Sequence, residues 1–305
     1  MSDAKLPHRP SHVRTSRADR VYYAISGVVL GVLLLLVAYP ILFVLSASFS
    51  SGNAVATGKV LLWPVEFSLE GYRAVFRNPN IVQAFGNTIL YTVAGTAINV
   101  AMVMIAAYPL SRRDLKGRGI LTFLFTFTMF FSGGMIPTYI QILRLGLMNN
   151  IGAMVLPGAL SVYNMIVART FIQSNIPYDL FEATSIDGCN DLQYLFYIVL
   201  PLSKAVIAVI ALFSAVGHWN SYFSAMIYLN DRNKFPLQII LREILIMNKV
   251  DLSMVMDPEM QIALAHTADV LKYSLIVVAT VPILVVYPFV QKYFVKGVMV
   301  GSIKG

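Results

Sequence analysis

One cysteine in 305 residues, Cys189, leaves no internal disulfide framework and no metal-site spacing to read. Charge is sparse as well: 12% of residues are Asp, Glu, Lys or Arg, against 57% that are apolar. A soluble protein of this length could not hide so much apolar surface, so the chain is a membrane protein. It has no glycine-rich phosphate loop ending in Gly-Lys-Ser/Thr, no His-Glu-x-x-His and no Gly-x-Ser-x-Gly. These absences argue against a nucleotide site within this chain and against the common hydrolase mechanisms. Neither a fixed-period repeat nor a low-complexity tract is evident. The net charge of +8 could suit nucleic acid, but the basic residues gather at the ends of apolar segments, as membrane topology requires.

What is present is a succession of apolar runs. Residues 1–20 are polar, with five Lys/Arg against two Asp, and read as a tail at the membrane surface. An apolar run from about Tyr22 to Leu45 follows, long enough for a hydrocarbon core of about 30 Å. Ser46-Ala47-Ser48 has the small residues of a signal-peptide cleavage site. The run, however, exceeds the roughly 7–15 residues of a signal-peptide core, so a retained first helix is expected. Further apolar segments cover about 81–110, 120–143, 151–172, 195–227 and 270–289. Six crossings put the N-terminus, the turn at 112–118 and the C-terminal tail on one side. They carry five, four and three Lys/Arg, so that side is cytoplasmic. The expected organisation is a basic tail at 1–20, a six-helix transmembrane domain at 21–291 and a C-terminal tail at 292–305.

Ion-driven transport needs ionisable groups at membrane depth, and these segments hold almost none. Arg169, Lys204 and Lys272 lie near segment ends, where their heads can snorkel to the interface. His218 is the one titratable side chain well inside a segment, and its expected place is within the bundle or beside an external cavity. A carrier built this way needs an engine outside its own membrane segments.

The segment from Pro177 to Pro201 differs from everything around it. It is acidic (Asp179, Glu182, Asp187, Asp191), and no Lys or Arg lies between Arg169 and Lys204. Pro177 suits a first helical position, with Ser174 or Asn175 available as a cap. Leu180, Ala183 and Ile186 recur at helical spacing, and Gly188 permits a sharp turn before a second apolar stripe at Leu192, Leu195, Phe196 and Val199. The pattern is helix, glycine turn, helix, and charge counting places it in the cytoplasm.

Glu182-Ala183, Asp187-Gly188, Phe196, Ile198 and Leu200-Pro201 resemble the EAA loop of the membrane subunits of bacterial ABC importers. Thr184 and Cys189 depart from the commonest form, but both are small. Phe131 to Tyr139 and the end from Gln291 to Gly305 resemble the carbohydrate-import branch, notably permeases for complex oligosaccharides. The layout is similar to the smaller membrane subunit of the maltose system, and the resemblance covers essentially residues 20–305. It implies an all-α, six-helix type I importer fold in the bacterial cytoplasmic membrane, with a coupling loop at 174–201 and both termini cytoplasmic. It also implies four kinds of partner: a second homologous permease forming a heterodimer, two cytoplasmic ATPase subunits, an extracytoplasmic solute-binding protein and a carbohydrate cargo. No cofactor is expected in this chain, because ATP would be held by the ATPase subunits. Lipid surrounds it, and no nucleic acid is involved. The coupling residues that the resemblance implies are Leu180, Phe181, Glu182, Ala183, Asp187 and Gly188.

A polar solute needs hydrogen-bonding and stacking groups along its route. Asn87, Asn99, Tyr163, Asn164, Trp219, Asn220 and Tyr222 qualify, although intramembrane amides also bond neighbouring helices and Trp and Tyr also anchor at interfaces. The paired glycines and proline of Phe131–Tyr139 mark a helix break or a close packing point. The leading reading is an import permease for an oligosaccharide and not an enzyme. The alternatives are a permease for another polar solute and a membrane scaffold whose loop docks a signalling partner.

Overall fold

The structure, a computed structural model, describes residues 16–247, 268–288 and 291. The tails at 1–15 and 292–305, and with them Lys292, Lys296 and Lys304, lie outside the described residues. Every regular element described is helical. Among the described residues, three helices are long and apolar enough to cross a membrane, and up to five spans result if each of two bent pairs counts as one.

Helix α1, Arg17–Ser48, starts inside the expected tail because Ser16 and Asp19 close a capping box over its first turn. Among the described residues none of its most apolar stretch is buried. Packing is concentrated toward its end, where the Phe43 ring meets Tyr273 edge-on and Ser46, Ala47 and Ser48 are buried. The Ser46 hydroxyl donates to the Leu62 carbonyl at 2.6 Å, and the Ser48 hydroxyl meets the Tyr72 hydroxyl at 2.9 Å. Tyr72 belongs to the interfacial helix α2, Glu70–Arg77.

Helix α3, Pro79–Ser111, is the axis of the bundle. Asn78 caps it, accepting from the Asn80 amide, and Pro79 supplies a preset first turn. Beyond it, the expected third segment is α4, Arg118–Phe130, and α5, Met135–Arg144, bent by 110°. The break falls at Phe131–Gly134, where Gly134 has φ +87°, a backbone region that favours glycine. The fourth segment is interrupted between the short helix Ile151–Val155 and α6, Val162–Asn175.

The loop region holds α7, Tyr178–Ile186, and α8, Asp191–Leu202. The expected fifth segment is not one rod. It is part of α8 and then α9, Lys204–Trp219, bent by 80° at Ser203, followed by α10, Tyr222–Tyr228. Five residues of α8, Leu195–Val199, take the wider π-helical hydrogen bonding, a local expansion often found at functional positions. Helix α11, Leu237–Met247, and α12, Ala268–Pro288, complete the described chain.

Two apolar cores flank α3. Its C-terminal half contributes Val103, Met104, Ala107 and Leu110 to a cluster with Met165, Ile172, Leu195, Val199 and Ile210 from α6, α8 and α9. Its N-terminal half places Ile81 and Ala84 against Leu237 and Ile240 of α11 and Leu275 and Ala279 of α12. Between these cores Gly95 allows α9 to approach closely, because a Cβ there would collide with the His218 imidazole. The expected effect of Gly95→Val is overpacking of about 1–3 kcal/mol. It should appear as a lower Tm for the detergent-purified chain, whereas Gly86→Ala, with no atom within 4 Å of its added methyl, leaves the Tm unlowered.

Candidate functional site: a docking loop joined to a polar cavity

Helix α7 begins at Tyr178, one residue later than the sequence suggests. Pro177 sits at the capping position without a side-chain cap, and the Asn175 amide turns back to the Phe171 carbonyl at 3.0 Å. The helix ends in a tight turn: the Gly188 amide donates to the Ser185 carbonyl at 3.1 Å and the Cys189 amide to the Thr184 carbonyl at 3.0 Å. Gly188 has φ +80°, so the turn needs the residue that adopts this region without strain. Asn190 and Gln193 then close a capping box on α8, with both hydrogen bonds at 2.9 Å.

The six loop residues picked out above divide between two faces. Glu182, Ala183, Asp187 and Gly188 are exposed, and Ile186 beside them is 87% exposed. Leu180 and Phe181 are half-buried and pack against the core at the C-terminal half of α3. Helical spacing alone puts Leu180, Ala183 and Ile186 on one stripe. The structure instead turns Leu180, Phe181 and Thr184 inward and leaves an outer face that is part acidic and part apolar. Asp191, one of the four acidic residues, stays exposed but is ion-paired.

Its partner is Arg112, the cap residue at the end of α3. The guanidinium Nε and Nη2 grip both oxygens of Asp114, at 2.8 and 2.6 Å. Nη1 donates to Asp191 at 2.7 Å and to the Tyr108 hydroxyl at 3.0 Å. The guanidinium carbon lies 3.5 Å from the centroid of the Phe181 ring, a close cation–π contact. Arg113 stands over Tyr178, and Arg118 donates to the Arg112 carbonyl. From α6, Arg169 and Gln173 donate to the carbonyls of Leu110 and Ser111, which end α3 and lack helical partners. A cleft of about 670 Å³ opens beside this cluster, lined by Arg112, Arg113, Arg118, Tyr178 and Phe181 among others.

A second cavity, of about 550 Å³, lies between α3, α6 and α9. Asn99, Ser161, Tyr163, Asn164, Ser214 and His218 are among its lining residues. The Asn99 amide donates to the carbonyls of Gly158 and Ala159, at 3.0 and 3.3 Å, and so satisfies the broken backbone before α6. Its side-chain oxygen is buried without a partner among the described residues. Of the residues proposed from sequence for the solute route, Tyr163 and Asn164 line this cavity together with Asn99. Asn87 donates to the carbonyls of Asn233 and Phe235, and the Trp219 indole to that of Ala279. Asn220 bonds Val216 and Gln238, and Tyr222 lies under Arg242. Sequence reasoning singled out Ser221 within the stretch 218–222 but passed over Ser161, Ser214 and Ser224, which reach the cavity from separate elements and share no local pattern.

A chain of apolar helices with an exposed helical loop and a separate polar cavity has the form of a transporter's membrane component. Residues 100–300 match the family described as the binding-protein-dependent transport system inner membrane component, and the chain belongs to that family. It is 45% identical over 269 residues to the polygalacturonan/rhamnogalacturonan transport system permease protein YtcP of Bacillus subtilis (strain 168). That alignment covers 87% of this chain and 92% of the relative. It is 40% identical to protein LplC of the same organism, over 96% and 98% of the two chains. A bacterial ABC transporter involved in import of the acidic polysaccharide alginate has a chain that superposes with TM-score 0.83 at 35% identity. That superposition covers 92% of this chain and 98% of the other. The fold is therefore that of a type I ABC importer permease, a transport component and not an enzyme, and membership implies ATPase and solute-binding partners.

The hydrogen bonds from Arg112 hold the Asp114 carboxyl below its ordinary value of 3.8. A carboxylate depressed in the fold stabilises it above the ordinary value, and that contribution is lost as pH falls through the depressed one. The expectation is that Arg112→Gln returns the Asp114 midpoint toward 3.8. Carboxyl NMR of aspartate-labelled protein reads this directly.

Proposed function

We propose that the chain is the translocating subunit of an oligosaccharide importer, driven by ATP hydrolysis on separate ATPase subunits through the exposed face of α7. The observation that carries this reading is that one chain joins that exposed face to a polar cavity lined by α3, α6 and α9. Six crossings are proposed, with the interrupted helices around 151–175 supplying the fourth, and with both termini cytoplasmic. Charge supports this orientation: the turn at Arg112–Arg118 lies on the same side as the loop. A second, homologous permease completes the route, and the long unburied apolar stretch of α1 is compatible with contacts outside this chain. The cargo reading is supported by the relatives that handle polygalacturonan/rhamnogalacturonan and alginate.

The proposed roles follow from the placement of the side chains. Glu182, Ala183, Asp187 and Gly188 meet the ATPase, with Ile186 as an apolar anchor among them, while Leu180 and Phe181 seat the helix on the bundle. Tyr163 and Asn164, with Asn99 and His218, offer stacking and hydrogen-bonding groups to sugar hydroxyls. Asn87, Trp219, Asn220 and Tyr222 hold the framework of that route.

ATP-dependent uptake into proteoliposomes, with the partner permease, ATPases and binding protein present, tests the reading. Acidic and neutral oligosaccharides should be compared, and absence of uptake for both counts against a carbohydrate cargo. Gly188→Val is expected to insert normally but to lose most uptake. A β-branched residue is strained at φ +80°, although nothing lies within 4 Å of its Cβ. Wild-type uptake by this variant would remove the loop from the mechanism.

A further inference from the structure

Helix α3 ends at Ser111 with Arg112 as its cap, and the same helix lines the cavity with Asn99 and receives His218 at Gly95. The cavity residue Asn99 is about 20 Å along the axis from Arg112, at about 1.5 Å per residue. A displacement applied at the end of this helix can reach Asn99 along one continuous element, past Pro109 in its last turn. What grips that end decides whether the loop can move it.

Apolar contacts between α7 and the bundle, through Leu180 and Phe181, resist separation but are non-directional. The grip of Arg112 is directional. Four of the hydrogen bonds available to its guanidinium are made, to Asp114 twice, Asp191 and Tyr108. Its side chain is only 12% exposed, although Asp114 and Asp191 themselves face water. The cation also stacks on Phe181 of α7. One planar group therefore touches α3, the following turn, α7 and the first turn of α8. Lysine could supply the charge but neither the fork nor the stacking plane.

We propose that Arg112 is the pin through which movement of the α7–α8 loop reaches α3, making it a positioning residue for coupling ATP hydrolysis to solute movement. It would act through Asp191 and Phe181, without touching cargo or nucleotide. The proposal rests on the reading of α7 as the ATPase-docking helix.

The test uses the complete transporter in proteoliposomes and measures cargo moved per ATP hydrolysed. Arg112→Gln is expected to lower that ratio about tenfold or more at unchanged apparent KM for cargo. Basal hydrolysis and the amount of co-purified ATPase should stay within about twofold. Arg112→Lys should recover part of the ratio. Asp191→Asn alone should lower it several-fold, and adding it to Arg112→Gln should cost nothing more, because residues acting as one unit are non-additive. A wild-type ratio in Arg112→Gln overturns the proposal. So does a fall in uptake and hydrolysis together, in proportion to lost ATPase, since that marks a merely structural role. If Arg112→Gln does not assemble, Asp191→Asn decides: an unchanged ratio overturns the pin, and a lowered one supports it. If the wild-type transporter itself shows no ATP-dependent uptake, the functional reading fails and Arg112 fails with it. If the wild type transports and Arg112→Gln does so equally, only the pin fails.

Discussion

Backbone that leaves its helix inside a membrane must find hydrogen bonds within the protein, because lipid supplies none. Much of this architecture follows from that constraint. The chain breaks its apolar segments near residues 131–134, 156–161, 203 and 220, and polar side chains, several of them on α3, supply bonds at breaks and returning loops. Asn99 serves Gly158 and Ala159, Thr88 serves the Leu237 amide, and Asn87, Gln83 and Tyr91 serve residues 233–235. At the other end, Arg169 and Gln173 repay the favour for the last carbonyls of α3 itself. The helix is the axis of the bundle because it satisfies its neighbours as well as packing against them.

The same constraint explains why polar residues found by reading the sequence split into two groups. An amide inside an apolar run signals a partner, but the sequence does not say whether the partner is backbone or solute. Asn87 and the Trp219 indole are committed to carbonyls of the chain, while Tyr163 and Asn164 border open space. Asn99 does both: its amide serves the chain, and its side-chain oxygen has no partner among the described residues while the residue lines the cavity.

Hydropathy made α1, α3 and α12 legible, because a long apolar run with polar ends reads the same in sequence and in space. It did not reveal the 80° bend at Ser203, since apolar content carries no information about axis direction and α8 and α9 are both apolar. The loop was legible for a different reason: acidic residues, Gly188 and the absence of basic residues mark it chemically. Its two faces were not. The period of a helix permits Leu180, Ala183 and Ile186 to share a stripe, but Phe181 is drawn inward by a cation 69 residues earlier in the chain, at Arg112. No local pattern could encode that attraction.

Helix α1 has a mechanical consequence of its own. Its 32 residues measure about 48 Å, at about 1.5 Å per residue, well beyond a hydrocarbon thickness of about 30 Å. One end is fixed by buried serines bonded to the segment at 62–72, and the other carries Arg17 and Arg20. The surplus length is therefore taken up by leaning or by standing proud of the bilayer on the Arg17 side. Any lean of α1 would pivot about its serine-held end, where it is bonded to the segment at 62–72 and packs on Tyr273.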